Sequence, residues 1–197
     1  MKKIFTVGLL VFTFLLGANL SANNSHTSKY KGQENREIKS LSSEDITELK
    51  KGAGWGLAKA AELNGYPGPS HLLQMKDRIH LSEEQEDKIK KLFKNMQQDA
   101  IKLGTKLVHL EKQLNDSFSN KSITEDKLKT YLKEIMKTRE SLRYVHLITH
   151  LKTPEILSKK QIDLYNNLRG YSKNIDPCLN IPEGHDKTMW KKHNGCK

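Results

Sequence analysis

The 197-residue chain carries 34 Lys and Arg against 23 Asp and Glu, a formal charge of +11, with 12 Gly, 5 Pro and only 2 Cys. Abundant Lys, Glu and Leu with modest aromatic content point to an all-α protein with a thin core. No Gly-rich phosphate loop, His-Glu-x-x-His or Gly-x-Ser-x-Gly occurs, so the chain is not expected to be an enzyme.

The N-terminus sets the expected compartment. Lys2 and Lys3 precede an apolar run from Ile4 to Leu16, too short to be a stable membrane span, and small residues follow. This is the pattern of a signal peptide over residues 1–22, with cleavage expected after Ala22. No Cys follows the apolar run, which argues against a lipid anchor. Cleavage removes two lysines and no acid, so the formal charge falls from +11 to +9. A basic exported chain suits acidic protein surfaces or anionic lipid, with nucleic acid not expected; solvated lysine faces on helices are the plainer explanation.

Residues 23–41 are polar and are expected to form a flexible lead-in to a single helical domain over residues 42–172. Ser42 is placed to cap a helix over Glu44–Lys51, stopped by Gly52. The stretch from Gly54 to Gly65 reads as a second short helix. Tyr66-Pro67-Gly68-Pro69 is a turn, and Ser70 is placed to cap a helix running to about Ile79.

Leu81-Ser82-Glu83-Glu84-Gln85 then forms the first copy of a repeated pattern, whose second copy is Leu157-Ser158-Lys159-Lys160-Gln161. In each, the Ser hydroxyl can accept from the free N–H groups of a first helical turn and the Gln can reach back to the cap N–H, a capping box with a preceding Leu as staple. After the first box, Ile89, Leu92, Met96, Ala100, Leu103, Leu107, Leu110 and Leu114 recur at spacings of 3 or 4, predicting a long amphipathic helix. A break is expected over Asn115–Ser122. Thr124 caps a second long helix carrying Leu128, Leu132, Ile135, Leu142, Leu147, Ile148 and Leu151, interrupted near Pro154. A last helix follows the second box and ends at Arg169 and Gly170. The two long helices must fold back on one another as an antiparallel hairpin. One hairpin cannot bury both stripes, so an antiparallel homodimer with a concave face is expected.

The paired boxes resemble the repeated Leu-Thr-x-x-Gln signature of the Spy/CpxP-like superfamily, with Ser in place of Thr in both copies. The similarity runs over about residues 30–171. It includes Tyr30-x-Gly32-Gln33, the run Gly56 to Asn64, Tyr66-Pro67-Gly68-Pro69-x-His71, His146-Leu147-x-x-His150-Leu151 and Leu168-Arg169-Gly170-Tyr171. These stretches look closest to the subgroup described as periplasmic heavy-metal sensor or metal-resistance proteins. The resemblance implies a dimeric periplasmic protein of the envelope stress response. Such a protein acts as an ATP-independent chaperone for non-native proteins, or as a metal-responsive partner of a membrane-bound regulator.

His146 and His150 stand four apart on a predicted helix, which puts both imidazoles on one face at a spacing suited to one divalent ion, Zn, Ni, Co or Cu. Glu62 and His71 are the next candidates as metal ligands, followed by His109 and Glu111. Hydrogen-bonded or solvated histidines are the structural alternative. Lys129, Lys133, Lys137, Arg139 and Arg143 form a candidate basic client-binding surface. Cys178 and Cys196 lie in the tail, residues 173–197, beyond the matching region. In an oxidising compartment they are expected to pair. A zinc site with His185 and His193, at Cys-x6-His-x7-His-x2-Cys, is the other reading of that tail. The leading expectation is a chaperone-type binding protein, and the alternative is a metal sensor or resistance protein.

Overall fold

The structure, a computed structural model, describes residues 27–171, 178, 181 and 184–196. The expected signal peptide, its cleavage site and the first residues of the lead-in lie outside the described residues. The elements are α1 (Ser43–Lys51), α2 (Lys59–Glu62), α3 (Pro69–Gln74), α4 (Lys76–Ile79), α5 (Glu83–Ser119), α6 (Glu125–Lys152), α7 (Lys159–Leu168) and α8 (Lys187–His193). Short 3-10 turns cover Gln33–Asn35 and Thr153–Ile156, and no strand occurs among the described residues. No helix among them is long and apolar enough to cross a membrane.

Helices α5 and α6 pack on each other as a hairpin, and α1 lies across α5. The α1–α5 crossing is close because position 104 is glycine. A Cβ on Gly104 would stand 2.1 Å from the Leu49 carbonyl oxygen. Around this crossing lies the larger core, built from Ile38, Leu41, Leu49, Ala100, Leu107, Val108, Leu110, Ile135 and Leu142. A smaller core of Leu72, Ile79, Ile89 and Tyr165 holds α3, α4 and α7 against the start of α5.

Local capping explains where the helices begin. Ser42 Oγ accepts from Asp45 N and Asp45 Oδ2 accepts from Ser42 N, so α1 starts on a complete box. Both repeated boxes also form: Ser82 with Gln85 opens α5, and Ser158 with Gln161 opens α7. Leu81 and Leu157 pack onto the same small core, which brings the two boxes together.

The structure departs from the sequence expectations in four places. The lead-in does not stay clear of the domain: Ile38 and Leu41 are 1% and 2% exposed and belong to the larger core. Their burial places the start of the packed domain ahead of Ser42. The stretch expected to form a helix from Gly54 is mostly turn, with helix only over Lys59–Glu62, because Gly52, Trp55 and Gly56 all adopt positive φ. Ser70 does not cap α3. Gly68 stands at the cap with Pro69 in the first turn, and the helix breaks at Met75. Finally, α5 runs through the expected break to Ser119. The Asn115 side chain there accepts from Lys39 N and donates to Glu37 O, satisfying the lead-in's backbone instead of ending the helix.

Candidate functional site

The buried face of α6 changes character along its length. Ile135 and Leu142 serve the larger core, but further on the buried positions are His146, Thr149 and His150. On α5, the interval between Ile89 and Ala100 presents Phe93 and Met96 at the same level. The apolar core is therefore interrupted, and a cavity of about 710 Å³ lies there. The end of α1, the loop from Gly52 to Ala58, α2, the start of α3 and the residues just after α7 supply most of the remaining lining.

Glu62 organises the polar end. Its Oε1 accepts from the Tyr165 hydroxyl at 2.7 Å and from Arg169 Nε at 3.1 Å, with His71 Nδ1 at 3.5 Å. Burial pushes this carboxyl up, but the hydrogen bonds from His71 and Tyr165 and the charges of His71 and Arg169 more than offset it. The net result holds Glu62 at about 2. Burial also pushes the Tyr165 phenol upward, reinforced by its bond to Glu62. The Arg169 guanidinium reaches on to the Tyr171 hydroxyl at 3.0 Å and lies over that ring.

The two histidines differ. His150 Nδ1 faces the Tyr66 carbonyl oxygen at 2.9 Å and stands 3.8 Å from Glu62 Oε2. A carbonyl oxygen only accepts, so Nδ1 carries the hydrogen and the neutral ring keeps its lone pair on Nε2. His146 is 4% exposed, and its Nε2 is buried with no hydrogen-bond partner. Burial, with the neighbouring His150, lowers its pKa to about 4, so it is neutral at pH 7. Gly68 permits the close packing here: a Cβ at that position would lie 3.0 Å from His150 Nε2 and 3.3 Å from Glu62 Oε2.

All four metal candidates, Glu62, His71, His146 and His150, thus line one cavity. They do not compose a coordination shell. Among the described residues no group of three or more His, Cys, Asp and Glu is arranged to hold a metal ion. Glu62 Oε1 is committed to Tyr165 and Arg169, and His150 Nδ1 donates to Tyr66 O, which leaves Nε2 as its free ring nitrogen. The secondary candidates lie elsewhere. His109 is exposed, while Glu111 is buried, accepts from Ser40 Oγ and pairs with Arg139 Nη2 at 2.9 Å.

Within the candidate basic surface, Arg139 is therefore a structural residue. It holds Glu111 and stacks over Trp55, whose Nε1 donates to Asp45. Lys129 pairs with Glu125 one turn away, while Lys133, Lys137 and Arg143 are exposed. In the tail, Cys178 and Cys196 form a disulfide. That closes the zinc reading there: His185 packs edge-on against Trp190, and His193 Nδ1 faces Met189 O.

Sequence reasoning missed Trp55, Phe93, Met96, Tyr165 and Arg169 as parts of this site. Their signal was indirect, in the polar residues at positions 146, 149 and 150 that break the apolar stripe of α6. Searches against family models, characterised proteins and solved structures found no match to this chain.

Proposed function

We propose that the protein is an exported, non-enzymatic binding protein of the Spy/CpxP type that shields non-native polypeptides without ATP. The observation that carries this reading is the outward face of α6. Leu132, Met136, Tyr144 and Leu151 are 47%, 63%, 60% and 55% exposed there. Lys133, Lys137 and Arg143 alternate with them. A helix that kept these four side chains for its own core would have turned them toward α5. An extended exposed apolar strip edged with positive charge suits weak, reversible contact with apolar segments in acidic surroundings. A second copy of the chain is a natural companion for part of the same strip; the N-terminal pattern supports export, and the resemblance supports a periplasmic setting.

The sensor alternative requires Glu62, His146 and His150 to gather round one ion, and among the described residues no group of three such side chains is so arranged. The test is light scattering of an unfolding client protein with and without the purified protein at a stoichiometric ratio. Slowed aggregation that survives high salt supports the apolar strip. No effect on any client overturns the reading. Binding to anionic vesicles that salt abolishes would instead favour a lipid adaptor.

A further inference from the structure

The cavity between α5 and α6 is separate from the strip on α6 and asks for a ligand of its own. Its volume, about 710 Å³, lies within the usual range for small-molecule sites. Trp55, Phe93 and Met96 give it apolar walls, and Glu62, His146 and His150 stand among its lining residues. Buried polar atoms without partners are uncommon in folded proteins, and His146 Nε2 is one of them.

The free valences at the polar end share one sense. Glu62 Oε1 takes Tyr165 and Arg169, whereas Oε2 stands 3.8 Å from His150 Nδ1, beyond hydrogen-bond reach. His150 spends its hydrogen on Tyr66 O, so its Nε2 offers a lone pair in the neutral ring. Neutral His146 can present a lone pair at Nε2 as readily as a hydrogen. The donors at this end of the cavity, His71, Arg169 and Tyr171, are engaged with Glu62 or with each other, so the atoms left over are acceptors suited to a compact group with several donors. An ammonium carries three hydrogens and a charge that Glu62 can balance. A carboxylate or phosphate would meet lone pairs and is disfavoured. At the rim, Lys51 and Lys59 are exposed.

We propose that this cavity binds a small molecule with a primary ammonium on an apolar, aromatic-sized body. The ammonium pairs with Glu62 and donates to the unpartnered His146 Nε2, and the body packs on Trp55, Phe93 and Met96. Free amines and α-amino acids share that head. The rim lysines favour the amino acid, whose carboxylate they can pair with.

The test is calorimetric titration of the purified, metal-free protein with phenylalanine, phenethylamine and phenylpropionate, followed by zinc and nickel. Phenylalanine and phenethylamine are expected to bind, phenylalanine the tighter, and phenylpropionate not to bind. His146→Leu, similar in size and apolar, is expected to weaken both amines about tenfold or more, the loss of one hydrogen bond to a charged group. Lys51→Ala/Lys59→Ala changes only exposed residues and is expected to weaken phenylalanine while leaving phenethylamine unchanged. Failure of both amines to bind, equal binding of phenylpropionate, or unchanged amine binding in His146→Leu would each overturn the proposal. Binding of zinc or nickel in place of the amines would also overturn it.

Discussion

Gln85 and Gln161 bond each other reciprocally through their side-chain amides: Gln85 Nε2 donates to Gln161 Oε1 at 3.0 Å, and Gln161 Nε2 donates to Gln85 Oε1 at 2.9 Å. Each Gln also completes its own capping box, and each donates to a backbone carbonyl outside its box, Gln85 to Ile156 and Gln161 to His80. The repeat in the sequence is thus one structural joint, binding the start of α5 to the start of α7.

A joint of this kind is non-additive. Gln85→Ala and Gln161→Ala are each expected to cost about 1–2 kcal/mol, with the double variant costing clearly less than the sum. Urea unfolding of the four proteins in a double-mutant cycle measures this. Additive losses would mean that the two boxes act separately.

The hairpin was legible in the sequence because the stripe from Ile89 to Leu114 and the caps at Ser42, Ser82, Thr124 and Ser158 all operate locally. The fate of residues 33–41 was not, since Ile38 and Leu41 look isolated until α5 supplies the surface that buries them. The candidate site was half legible. The spacing of His146 and His150 and the block from Glu62 to His71 pointed to one place. That Tyr165 and Arg169 would claim the carboxylate depends on tertiary contacts spanning about a hundred residues, which no local pattern encodes.

Acid should destabilise the protein in two stages. His146 binds a proton near pH 6.5 when unfolded but only near pH 4 when folded, so the unfolded state holds more protons between those values. Stability therefore falls as pH drops through that window, by roughly 3 kcal/mol at pH 4 for a shift of this size. Glu62 is depressed to about 2, so its contribution is present above its unfolded value and is lost between about 4.5 and 2. Thermal melts against pH should show both stages. His146→Leu should abolish the first and keep the second; an unchanged first stage would assign it to another group.

Gly104→Ala is expected to destabilise strongly despite the better helix propensity of Ala, because the new Cβ meets backbone at Leu49. A loss of about 2–4 kcal/mol in urea unfolding fits a shift of α1 off α5. A neutral or stabilising effect would show that α1 is loosely held.

Arg139→Ala leaves Glu111 buried without its ion pair and removes the cation over Trp55. Arg139 is 38% exposed, so solvent screening limits the loss to about 1–3 kcal/mol. Trp55 fluorescence should shift as Arg139 leaves its ring. The exposed Arg143→Ala should change stability by about 0.5 kcal/mol or less.

The most direct test of the central claim compares wild type with Leu132→Ser/Met136→Ser/Leu151→Ser in the aggregation assay, with far-UV circular dichroism confirming an intact fold. All three residues are exposed, so their replacement leaves the core untouched. The account predicts that wild type slows client aggregation and that the triple variant, equally folded, loses most of that protection. Full protection by the triple variant would contradict the assignment of client binding to the outward face of α6.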